Sequence, residues 1–269
     1  MRLVGRWDNP VAVRELRGKG RTHRLLWLLV VTWAILTAAV AGYGVLLDRY
    51  GPEIMAGVRD MARQGALPAN SGPGIILLAG IAILMSGVAM YAPPALAATV
   101  ITREREQQSL GLLLISRLHP REVLWGKLVG STLPVLLALT CALPFLALCS
   151  AFGGARLDLV LFVYIKCVLT ALATAAIGLA CSCLARSTAT AVVASYVILF
   201  IVLWGLRAAV QYVVLIISMV ASFGLSGRSS PNVLVIVLAS NLADLLVVVG
   251  AGFIAFLIAW SAYRRISEE

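Results

Sequence analysis

The stretch Ile101–Lys127, ITREREQQSLGLLLISRLHPREVLWGK, sets eight formal charges around a short apolar run, Leu110–Ile115. Leu, Val, Ala, Ile and Gly dominate the chain on either side of it. Over 269 residues the apolar fraction is 61% and the charged fraction 13%, against about 25% charged residues in ordinary soluble domains. Several runs exceed the ~18 apolar residues that mark a bilayer-spanning helix. Composition thus predicts an all-α polytopic membrane protein, with residues 101–127 as a polar interval between two of its spans.

Toward the N-terminus, the preceding span is predicted over residues 75–100. It contains Pro93-Pro94, a pair that removes two backbone donors and crowds the preceding turn, so a kink is expected there. Lipid-embedded helices tolerate such a pair where a neighbour or water satisfies the freed carbonyls. A polar segment, Asp48–Gly74, separates this span from the first, residues 25–47, and carries an amphipathic piece at Glu53–Gln64. Residues 1–24 hold seven basic side chains. Asp8-Asn9-Pro10 is a helix-start signal, and Val11, Val13 and Leu16 alternate with basic residues, predicting an interfacial amphipathic helix over 8–21. The basic head is longer than that of a cleavable signal, so the first span is expected to be retained.

Toward the C-terminus, spans are predicted over 128–148, 160–184, 189–206 and 240–262. A straight helix over 189–225 would be roughly 55 Å long, far beyond a ~30 Å hydrocarbon core. A break near Gly205–Arg207 is therefore expected, leaving residues 208–232 as a re-entrant or outer helix. Six spans with a cytoplasmic N-terminus place fifteen basic residues inside and six outside, with Lys166 within a span. That asymmetry predicts both termini on the cytoplasmic face of the cell membrane. A seventh span would export Arg264 and Arg265.

The net charge of +10 flanks apolar spans instead of forming a soluble basic patch, which argues against nucleic acid as a partner. The five cysteines lie in or at the ends of spans and suggest no disulfide framework. No G-x-x-x-x-G-K-[ST] phosphate loop occurs; Gly18-Lys19-Gly20 and Gly126-Lys127-Leu128 lack its spacing and its hydroxyl. There is no HExxH, and the two histidines are His23 and His119. No cofactor is expected on this chain, so the energy source must be a gradient or a partner.

The charged block reads as a docking element. Thr102–Gln108 continue the second span as a polar turn, Ser109 caps a short helix, and Leu110, Leu113 and Leu114 share one face of it. His119-Pro120 ends that helix, and Pro120 with Glu122 opens the next. An apolar ridge framed by both charge signs suits a groove on another protein. The alternative is a helix lying on lipid headgroups, but an anionic surface favours uninterrupted basic residues over the mixed RERE.

This block resembles the loop after the second span of ABC-2-type transporter permeases. The match covers Glu104, Arg105, Glu106, Ser109, Leu110, Leu113, Leu114, Ser116, Glu122, Val123, Gly126 and Lys127, and Asn9–Arg21 is similar to the family's opening amphipathic helix. Gly111 departs from the family pattern, which often has an acidic residue there. The resemblance implies a non-catalytic exporter subunit that pairs with a second permease copy or homologue and with two ATPase subunits, which bind ATP–Mg. It implies a coupling helix over Arg103–Leu118, comprising Arg103, Glu104, Arg105, Glu106, Ser109 and Arg117 with the ridge Leu110, Leu113 and Leu114. The link around Arg186 is implied as a minor second contact.

Charges within spans are expensive and mark function or structural pairing. Lys166 and Asp244 are two such residues: a pair between them, or between Asp244 and Arg207, is one reading, and lining a substrate path or snorkelling are the others. A gradient-driven secondary transporter is the main alternative, but such proteins carry internal repeats and polar mid-span breaks, and neither is evident here. A membrane-embedded lipid enzyme would need a convergent carboxylate or His cluster, which the sequence does not offer.

Overall fold

A helix in hydrocarbon has no water to complete its backbone hydrogen bonds, so each interruption must be matched by a neighbour. The computed structural model describes residues 23–63, 72–106, 120–152, 157–206, 208–209, 212, 216 and 233–268. Among these residues the regular elements are all helical. In chain order they are α1 (His23–Arg63), α2 (Gly74–Glu106), α3 (Pro120–Cys141), α4 (Leu143–Ala151), α5 (Leu157–Leu184), α6 (Thr188–Phe200), a π-helical turn (Ile201–Leu206) and α7 (Val233–Glu268). Among the described residues, five stretches are long and apolar enough to cross a membrane: Leu29–Asp60, Gly74–Glu106, Val123–Ala151, Leu157–Leu184 and Asn241–Arg265. α6 is a shorter apolar helix. The chain is a multi-pass helical membrane protein.

Prolines explain where the elements depart from a simple hydropathy reading. α1 runs past residue 47 and absorbs most of the amphipathic piece, but Tyr50 leaves helical geometry (φ −123°, ψ 18°). Gly51-Pro52 follows it, and a proline both lacks an N–H and crowds the backbone before it. The expected span at 128–148 is likewise divided. Its helix begins at Pro120, stops at Ala142 and resumes as α4 with Pro144 in the first turn, where the missing N–H costs nothing. Past Phe200 the α geometry gives way at Ile201, before the expected break at Gly205–Arg207, and a π-helical turn continues to Leu206. The interfacial helix expected over 8–21, Arg207 and most of residues 208–232 lie outside the described residues.

α2 stays helical through Pro93 and Pro94, and α5 supplies what the prolines remove. The N–H missing from Pro93 would have served the carbonyl of Ala89. The Thr174 hydroxyl donates to that oxygen at 3.0 Å. One turn on, a Cβ at Gly178 would lie 2.7 Å from the Pro94 carbonyl oxygen, so only glycine admits so close an approach. One turn further, Ser182 Oγ accepts the N–H groups of Ile101 and Thr102 at 3.0 and 3.2 Å. Thr174, Gly178 and Ser182 recur at i, i+4 and i+8, a single stripe on one helix face. The contacts advance together along both chains, so α2 and α5 run in the same direction.

α7 packs on α5 in the same manner. A Cβ at Gly252 would lie 2.6 Å from Ala173 Cα, and small residues that let backbones approach are the usual basis of helix association in lipid. Lys166 meets Asn241 toward the other end of this contact, so α7 also runs parallel to α5. Two apolar clusters form the interior. One includes Leu36, Ile81, Met85 and Leu139, the other Ile101, Leu124, Leu179 and Tyr263.

Two glycines with opposite surroundings test this packing. Gly87 has nothing within 4 Å of a built Cβ, so Gly87→Ala should raise stability by about 0.5–1 kcal/mol through helix propensity. Gly178→Ala should lower it by about 1–3 kcal/mol through overpacking. Thermal unfolding of the purified protein in detergent should order the midpoints Gly87→Ala, wild type, Gly178→Ala.

Candidate functional site

The last turn of α2 reads Arg103-Glu104-Arg105-Glu106. Successive helix positions turn by about 100°, so these side chains leave in different directions and meet different neighbours. Glu104 Oε2 lies 2.5 Å from Lys127 Nζ of α3, with the lysine side chain 1% exposed and the glutamate 25%. Arg105 Nη1 donates to the Ala185 carbonyl at 2.9 Å, just past the end of α5. Glu106 Oε1 accepts the Thr188 N–H at 2.8 Å, at the first residue of α6. N–H groups in the first turn of a helix lack intrahelical partners, and the positive dipole end favours a carboxylate. Ser187 Oγ completes the cap by accepting the Thr190 N–H at 3.3 Å. One turn of α2 therefore holds α3, the end of α5 and the start of α6.

Sequence reasoning treated Glu104, Arg105 and Glu106 as one outward-facing set. The structure gives all three partners within this chain and leaves Arg103 exposed. Ser109, Leu110, Leu113, Leu114 and Arg117 lie outside the described residues. Lys127 ended the matched motif without being assigned a role. Its signal was available: a lone lysine two turns into an apolar helix requires a counter-charge.

A second polar group sits toward the opposite end of α5. Lys166 Nζ donates to Asn241 Oδ1 at 2.5 Å. Asp244, 3% exposed, follows Asn241 by three positions and shares its face of α7. Asn241 escaped the sequence reading because a neutral amide in an apolar run carries no charge to mark it. Lys166 stands 19 residues before Ala185, which separates the two polar groups by roughly 28 Å along the helix.

Between these ends, α1, α2, α3 and Tyr196 line an open apolar cavity of about 470 Å³. Gly87, Ala92, Ala95, Ala138 and Ala142 in its wall leave the space open. The Tyr196 hydroxyl, from α6, donates to the Tyr91 carbonyl at 2.9 Å. Among the described residues no group of three or more His, Cys, Asp or Glu is placed to hold a metal ion. The five cysteines are free thiols.

Long apolar helices, small-residue packing and a polar clasp at one end define a multi-pass helical membrane protein. The family model described as ABC-2 family transporter protein matches residues 10–265, and the chain belongs to that family of permeases. A search of curated proteins returned no match to this sequence.

The clasp makes an asymmetric prediction. Glu104→Ala strands a lysine that has almost no access to water, which should destabilise the protein by about 3–5 kcal/mol. Lys127→Met leaves a carboxylate that water still reaches and should cost distinctly less. Combining Lys127→Met with Glu104→Gln should restore most of the loss. Thermal unfolding midpoints in one detergent check this order.

Proposed function

We propose that this chain is the transmembrane subunit of an ATP-binding-cassette exporter, which moves its substrate when a partner ATPase hydrolyses ATP. The observation that carries the reading is the Glu104–Lys127 ion pair, which ties together the two helices flanking residues 107–119. A segment rooted on a buried pair passes a displacement to both helices. The ridge Leu110, Leu113 and Leu114 supplies the surface for the ATPase, with Arg103, Ser109 and Arg117 around it. ATP–Mg is held by the partner.

The assembly contains two permease chains, identical or homologous, and two ATPase subunits in the cell membrane. Six spans are supported by the parallel course of α5 and α7, which requires the intervening chain to cross back. α6 and the π-helical turn together hold 19 residues, roughly 28 Å at helical rise, close to the ~30 Å hydrocarbon core. Residues 208–232 are assigned as the re-entrant or outer segment, and both termini are assigned to the cytoplasmic face with the basic excess.

Co-expression with a tagged ATP-binding-cassette ATPase tests this reading. Leu113→Asp should reduce the captured permease about tenfold or more, as expected for loss of an apolar anchor. Asp244→Asn should leave capture unchanged. Full capture of Leu113→Asp would remove the docking assignment.

A further inference from the structure

Ala185, Arg186 and Ser187 separate α5 from α6. The N–H of Ala185 still bonds to the Cys181 carbonyl at 2.9 Å, so the link opens on the last turn of α5, where carbonyls lack partners and the dipole is negative. It closes on the first turn of α6, where N–H groups lack partners and the dipole is positive. Two adjacent residues of α2 are opposite in sign to these ends. Arg105 bonds to Ala185 O at the negative end, and Glu106 accepts the Thr188 N–H at the positive end. The end of α2 is thus fitted between two helix termini of opposite polarity.

α6 is held to α2 a second time. Tyr196 bonds to Tyr91, two residues before Pro93, while Glu106 lies beyond Pro94. α6 therefore attaches to α2 on both sides of the proline pair, and Tyr196 is also part of the cavity wall.

We infer that Arg105 and Glu106 are positioning residues for transport, which make the α5–α6 link and α6 follow the end of α2. The inference rests on the reading that an ATPase acts on residues 107–119. Displacement there reaches the cavity by two routes, along α2 and α3 and across the link through α6. Arg105 and Glu106 serve the second route.

Hydrogen–deuterium exchange tests this in lipid nanodiscs. In the permease alone, Glu106→Ala combined with Arg105→Ala should speed exchange in a peptide spanning 185–192 about tenfold, as expected for lost charge-assisted hydrogen bonds. Exchange in α5 over 171–181 should stay unchanged. Glu106→Gln, which keeps an oxygen acceptor, and Arg105→Lys, which keeps a donor, should each stay within about threefold of wild type. In the permease–ATPase complex, trapping with ATP–Mg and vanadate should change exchange in both 107–119 and 185–192. In the Ala variant only the 107–119 change should persist.

Wild-type protection of 185–192 in the Ala variant would overturn the inference, as would a link that still responds to trapping. Absence of any trapping response at 107–119 in the wild-type complex would instead strike the docking reading. The measurements on the permease alone would still decide whether the brace exists.

Discussion

Two missing backbone donors, at Pro93 and Pro94, set the terms for the packing of this membrane domain. In water the freed carbonyls would be hydrated; in hydrocarbon a neighbouring helix must answer them. Thr174 does so for Ala89, but a threonine hydroxyl reaches only a short distance, so α5 must lie almost against α2. Gly178 permits that approach. The run from Ala173 to Cys183 is buried throughout and consists mainly of Ala, Gly, Ser, Thr and Cys. Side chains of this size cannot drive association through burial from water. They work by close van der Waals contact and interhelical hydrogen bonds, and Gly252 extends the same logic to α7.

The clasp depends on that close packing. Lys127 is tolerable at 1% exposure only because Glu104 is held beside it, and Glu104 is held because α2 is braced by Ser182 one turn earlier. Arg105 and Glu106 complete a local set of charges that cancels: an ion pair, and one charge of each sign against a helix end of the opposite sign. This gives the alternating RERE a structural reason. A surface built only to rest on anionic headgroups would need the arginines alone.

How much of this was legible in the sequence follows from which interactions leave a local mark. Apolar runs fixed the class and the approximate position of the spans, since burial in lipid constrains composition residue by residue. Pro120 was readable as a helix start because its effect is confined to its own turn. Tyr50 and Ala142 were missed as interruptions although Pro52 and Pro144 stand beside them; hydropathy, which is blind to backbone geometry, outweighed the prolines there. The backbone partners of the clasp were not readable at all. Ala185 O and the Thr188 N–H are backbone atoms about eighty residues from Arg105 and Glu106, and a backbone atom has no sequence signature. The charged motif was therefore legible as a motif, while its division into inward and outward members was not. Asn241 shows the same limit, since its value comes only from facing Lys166.

The parallel course of α2, α5 and α7 gives the charge distribution a second cause. Their C-termini lie at one end, as shown by the shared apolar cluster of Ile101, Cys183 and Tyr263. Each helix end carries roughly half a negative charge, so three aligned ends create a field that favours cations there. Arg103, Arg105, Lys127, Arg186, Arg264 and Arg265 belong to this end. The excess of basic residues on one face is usually read as a topology signal alone; here the same residues also complement the helix dipoles. α6 runs the other way, bringing a positive end into the same neighbourhood, and there a carboxylate, Glu106, makes the contact. Helix direction and side-chain sign agree at each of these contacts, so the short charged block is shaped by the helices it joins as well as by any partner it meets.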